Sequence, residues 1–95
     1  MVRKMASYQV KPEMVTAIEA AIGEFVTAIL EAEPGTTYTA YRIHGENCFV
    51  HFMAFPDQDA EESHQTAAYT LKFVQVLYPN CEIQPQFFDL DLISS

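Results

Sequence analysis

Three histidines, one strand arginine and several tyrosines are the side chains of this sequence best suited to chemistry. His64 follows the stretch Phe49-Val50-His51-Phe52-Met53-Ala54-Phe55-Pro56-Asp57-Gln58-Asp59-Ala60-Glu61-Glu62-Ser63. A histidine titrates near neutrality and can take a proton from a hydroxyl group. The plainer role for His64 is a core histidine, hydrogen-bonded to backbone, that locks a helix onto a sheet. His51 sits mid-strand among aromatics, either as a pocket base or as a histidine between two copies of the chain. His44 lies at a hairpin end and is expected in solvent. Arg42, within a strand, could hold a phenolate or carboxylate; pairing with Glu46 or Asp89 is the alternative. Tyr38 and Tyr41 read more plainly as sheet-packing residues than as catalysts. Met5, Met14 and Met53 read as core fillers. The histidines are too scattered for a metal motif, and Cys48 and Cys81 match no metal or redox spacing.

The elements that position these residues follow from periodicity. The apolar run ending at Phe55 predicts a strand covered on both faces, stopped by Pro56. Asp57 and Asp59 are helix-start residues, and Glu62 stands three after Asp59, as in a capping box. A helix from Gln58 to about Tyr78 then carries His64 in its second turn. Ala60, His64, Ala67, Ala68, Leu71 and Val74 form its stripe, and Tyr69, Thr70 and Phe73 shift that face enough to predict a break or kink. Upstream, Val2–Val10 predicts a first strand. Pro12 opens a helix that runs to about Ala32, with Met14, Val15, Ile18, Ile22, Phe25, Val26 and Ile29 on one stripe. Gly23 inside it suggests a close approach to the sheet. Glu33-Pro34-Gly35 ends the helix. Thr36 to His44 and Cys48 to Phe55 predict a hairpin around Gly45-Glu46-Asn47. Glu82 to Ile93 predicts the last strand.

Strand, helix, strand, strand, helix, strand is the order of an α+β ferredoxin-like βαββαβ fold with an antiparallel sheet. Right-handed crossovers place both helices on one face. Phe49, Met53 and Phe55 share one side of the third strand; Val50, Phe52 and Ala54 share the other. A sheet apolar on both faces needs both covered. A second copy of the sheet predicts a homodimer. In the strand order 4-1-3-2, Cys48 and Cys81 lie two strand spacings apart, about 10 Å. That exceeds the roughly 7 Å limit of a disulfide, so two free thiols are expected.

Ninety-five residues make a single domain, 1–95. Such a domain buries only about two-thirds of its unfolded surface, which again favours association. Thirteen acidic against five basic residues give a net charge of −8. That field repels phosphate backbones and anionic membranes, so neither nucleic acid nor membrane is an expected partner. The N-terminus has no apolar signal core and no run reaches transmembrane length. A cytoplasmic location is the simplest expectation, and it suits free thiols.

Several segments resemble the antibiotic biosynthesis monooxygenase family. They are Val10-Lys11-Pro12-Glu13, Glu33-Pro34-Gly35-Thr36 with Tyr38 and Arg42, and Phe55-x-Asp57-x-x-Ala60-x-x-x-His64. The resemblance implies a dimeric α+β barrel. It also implies oxidation of a phenolic or quinol-type aromatic by molecular oxygen without a cofactor, or haem degradation in another branch. Two departures stand out. The family's Glu-x-Trp is here Met53-Ala54-Phe55, and the chain has no Trp. Asn47 and Asn80 fall in turns, which disfavours the haem-degrading branch. On this resemblance His64 borders a cavity between helices and sheet. His64, His51 and Tyr41 are the catalytic candidates, and Arg42, Phe55, Tyr69 and Phe73 the substrate-binding ones. The alternative is a non-catalytic barrel, its pocket filled by Met53, Phe55 and Phe73, that binds a small apolar molecule or serves a structural role.

Overall fold

The computed structural model describes residues 1–95. Its sheet is built from four antiparallel strands: β1 (Val2–Val10), β2 (Thr37–Arg42), β3 (Cys48–Phe55) and β4 (Cys81–Leu90), in the order β2-β3-β1-β4. This is the expected ferredoxin-like arrangement. A 3-10 turn at Pro12–Met14 leads into α1 (Val15–Ala32). Ile18, Ile22, Phe25 and Ile29 of α1 are buried, at helical spacing, against Tyr8, Val10 and Phe49 of the sheet. The third strand divides as its alternation requires. Phe49, His51, Met53 and Phe55 are buried beneath the helices, whereas Val50, Phe52 and Ala54 face away.

The break expected in the second helix is present, and two other local expectations need correction. The second helix is two helices, α2 (Gln58–Thr66) and α3 (Ala68–Leu77), separated at Ala67, just ahead of Tyr69, where the chain is extended with ψ 145°. An α-helix advances about 100° per residue. An unbroken helix would therefore point His64 and Phe73 in opposite directions; the break lets both face the sheet, and it leaves Leu71 half exposed. The cap of α2 is Asp57, whose carboxylate accepts from the Ala60 N–H at 2.8 Å; the Asp59–Glu62 pair lies inside the helix. Gly23 makes no close approach, since a Cβ built there meets nothing within 4 Å. Gly35 is the glycine that packing requires: its Cβ would lie 2.7 Å from Pro56 Cγ. That contact pins the end of α1 and the start of β2 against the β3–α2 turn.

β4 ends at Leu90, short of Ile93. It is an edge strand, where Pro85 is tolerated, and its register with β1 shifts between Ser7 and Val10. Cys48 and Cys81 are free thiols on strands flanking β1. No helix is long and apolar enough to cross a membrane. Across the uncovered face, Met5 stands between Phe52 of β3 and Phe88 of β4. Tyr41, Phe52, Ile83 and Phe88 are 42–57% exposed there.

Candidate active site

A cavity of about 430 Å³ opens between the sheet and helices α2 and α3, within the size range of small-molecule sites. Its walls are mainly apolar and aromatic, with Phe25, Phe55 and Phe73 prominent. Two polar groups are set into them.

The first is built on the capped helix. His64 Nδ1 lies 2.8 Å from Glu33 Oε2, and the Tyr69 hydroxyl donates to the same oxygen. Burial opposes ionisation of Glu33, but the hydrogen bonds from Tyr69 and His64 outweigh it and hold the carboxyl below its usual range. An ionised carboxylate only accepts, so Nδ1 carries the hydrogen. In the neutral ring Nε2, with no hydrogen-bond partner in the protein, then presents a lone pair. That is the arrangement of a carboxylate-oriented general base. Burial and Glu33 together push the Tyr69 hydroxyl up to about 12, so it remains a donor.

The second group lies under the sheet-facing wall. His51 is 1% exposed. Its Nε2 is 2.7 Å from the Tyr8 hydroxyl and its Nδ1 is 2.7 Å from the Tyr38 hydroxyl. Burial lowers the His51 pKa to about 4 and raises those of Tyr8 and Tyr38 well above the usual phenol value. All three groups are therefore neutral near pH 7. The Tyr38 ring bridges the two sets, 5.5 Å from the His51 ring and 5.8 Å from that of His64. At the cavity margin Lys4 Nζ pairs with Glu61 at 2.6 Å and Asp89 at 3.5 Å. The hydrogen bond with Glu61 raises the lysine pKa.

The structure brings His64, His51, Phe55 and Phe73 together in the cavity wall. Tyr69 stands behind His64, against Glu33. Tyr41 is not at the cavity. It is 57% exposed on the open face, edge-on to Phe52. Arg42 is also elsewhere, at the far end of β2, where Nε donates to the Glu46 carbonyl at 2.6 Å and Nη1 lies 3.8 Å from Glu19. The hairpin register explains the Tyr41 correction. Tyr38 pairs with Met53 and Ala40 with His51, so even-numbered β2 residues share the His51 face and Tyr41 cannot. That parity was available once the turn was placed, and it selects Tyr38. Glu33 was readable only as a helix stop, because its partner is 31 positions away. Tyr8, 43 positions from His51, likewise carried no local signal.

The buried imidazole predicts a pH effect on stability. Unfolded histidine binds a proton near pH 6.5, whereas His51 resists until about pH 4. Between those values the unfolded state binds more protons, so stability falls as pH falls, by up to about 3 kcal/mol. Glu33, with its depressed pKa, contributes stability present above the ordinary carboxylate range and lost as pH falls through its folded value. Urea unfolding from pH 7.5 to 4.5 should show the histidine-dependent slope, and His51→Phe should flatten it. An unchanged slope in the variant would contradict the assignment.

A family model described as antibiotic biosynthesis monooxygenase matches residues 1–76. Among solved structures, a crystal structure of an antibiotic biosynthesis monooxygenase superposes with a TM-score of 0.89 at 19% identity, covering 99% of this chain and 100% of that one. A Nitrosomonas europaea protein named for the same family gives 0.90 at 14% identity, covering 99% and 100%. One from Caulobacter crescentus CB15 gives 0.89 at 19%, covering 98% and 90%. At these identities the likeness is one of fold. Comparison with curated proteins gave no significant match. The family match spans most of the 95 residues, including β1 to β3, His51 and the Phe55–His64 stretch; this chain belongs to the antibiotic biosynthesis monooxygenase family.

Proposed function

We propose that the protein is a cofactor-independent monooxygenase that oxidises a small phenolic or quinol-type aromatic with molecular oxygen. The observation that carries this reading is the Glu33–His64 pair on an apolar cavity, with Nε2 of His64 left free to take a proton. Removing the phenolic proton makes an electron-rich phenolate that can pass electrons to oxygen. For a quinol bearing a ring hydrogen, one quinol and one O₂ give one hydroxyquinone and one water. One oxygen atom forms the new C–O bond; the other leaves as water after the O–O bond breaks. The residues need only deprotonate the substrate, hold its anion and exclude water. A non-catalytic barrel filled by Met53, Phe55 and Phe73 is less well supported, because those side chains line the cavity and leave it open.

The working unit in this proposal is a homodimer with open sheet faces packed together, in a reducing compartment that suits Cys48 and Cys81. Oxygen consumption with a panel of hydroquinones and naphthoquinols tests the activity. Uptake matched by equimolar quinone is expected. Binding of the quinols without any uptake would leave a ligand-binding protein in place of an enzyme.

A further inference from the structure

The Tyr8–His51–Tyr38 group holds one hydrogen more than its own bonds use. Two phenol hydroxyls and a neutral imidazole bring three hydrogens. The two contacts, each 2.7 Å, consume two. One tyrosine must donate to the bare imidazole nitrogen, and the other must accept from the N–H. The accepting tyrosine keeps its own O–H hydrogen, and neither hydroxyl has another partner in the protein.

Proximity to the base decides which tyrosine that is. Both rings reach the cavity wall. Tyr8 is 4% exposed and stacked on Phe49 at 5.5 Å. Tyr38 packs its ring 5.8 Å from that of His64, so it is the tyrosine beside the group that makes the anion. We infer that the chain is directional: Tyr8 donates to His51 Nε2, His51 Nδ1–H donates to Tyr38, and the Tyr38 hydroxyl donates into the cavity to a ligand oxyanion. This inference rests on the proposed phenolate chemistry and assigns the donor that holds the anion once His64 has taken its proton. Tyr38 is the group that touches the ligand; His51 and Tyr8 are positioning residues. The neutral state of all three matters. A chain whose members resist charging lends a polarised hydrogen bond without giving up the proton. The anion therefore stays an anion, as transfer of electrons to oxygen requires.

Two measurements test the direction. Nitrogen-15 NMR of labelled imidazole reads the His51 tautomer directly, and the hydrogen is expected on Nδ1. Finding it on Nε2 overturns the inference. The second probe is 4-nitrophenol, whose visible spectrum reports its own ionisation. Wild-type protein should bind it as the phenolate, with an apparent pKa below that of the free probe. Tyr38→Phe should bind the phenolate about 10–100-fold more weakly, the loss of one hydrogen bond to a charged group. Tyr8→Phe should stay within about threefold. Equal losses in the two variants, no loss in Tyr38→Phe, or a wild type that binds no phenolate would each overturn it. Thermal melts of both variants identify a purely structural role, which would lower the melting temperature and leave the probe spectrum unmoved. If tautomer and probe behave as expected but no quinol supports oxygen uptake, the monooxygenase reading fails and the donor chain stands.

Discussion

Replacing His64 with alanine is expected to lower quinol-dependent oxygen uptake by about 10²–10⁴-fold, the usual contribution of a positioned general base. The variant should remain folded. His64 is 6% exposed, but its polar link is a single hydrogen bond to Glu33, and Tyr69 still donates to that carboxylate after the change. Loss of that bond and of ring packing against Phe25 and Phe55 should cost about 2–4 kcal/mol. Glu33→Gln separates the two effects. An amide can donate to Nδ1 and shift the imidazole hydrogen to Nε2, removing the lone pair from the cavity while the ring stays in place. Its rate loss should approach that of His64→Ala with a smaller change in melting temperature. A glutamine variant with wild-type turnover would show that the carboxylate does not set the histidine. An alanine variant that melts early but retains turnover would show His64 to be a strut.

Placing a glutamate at Phe52 or Phe88 is expected to dissociate the proposed dimer. These rings flank Met5 on the uncovered face and are 42% and 45% exposed in the single chain. Burying a fully exposed phenylalanine side chain contributes about 1.5–3 kcal/mol. Less than half of each ring remains to be buried, so each contributes about 0.6–1.3 kcal/mol, and a two-fold interface counts each residue twice. The substitution therefore weakens association by about 1–3 kcal/mol, or roughly 10–10²-fold in Kd, before the cost of burying a carboxylate is added. Sedimentation at micromolar concentration should show a wild-type dimer and a variant that is monomeric or poorly folded. A wild type that sediments as a stable monomer would remove the facing-sheet arrangement, and a fully dimeric variant would place the interface elsewhere. Tyr41 belongs to this prediction as well. Its place on the open face makes it a candidate interface residue, having been expected at the cavity.

The sequence by itself determined what depends on neighbours in the chain. The stripe from Ile18 to Ile29 places α1 on the sheet, because residues three and four apart share a helix face. The alternation of Phe49 to Phe55 sorts one strand into a core face and an open face, because side chains on a strand alternate. Pro56 and Asp57 end a strand and cap a helix through their own backbone and side-chain chemistry. From these the βαββαβ order, the two-sided sheet and the general place of His64 follow. The tertiary structure alone decided the partners. His64 finds Glu33 because Gly35 packs onto Pro56 and folds the end of α1 back beside α2. His51 finds Tyr8 and Tyr38 because β1 and β2 arrive on either side of β3 with particular registers. Register and crossover geometry are long-range properties. Periodicity tells which face a residue takes, and only the packed sheet and helices tell what stands opposite it.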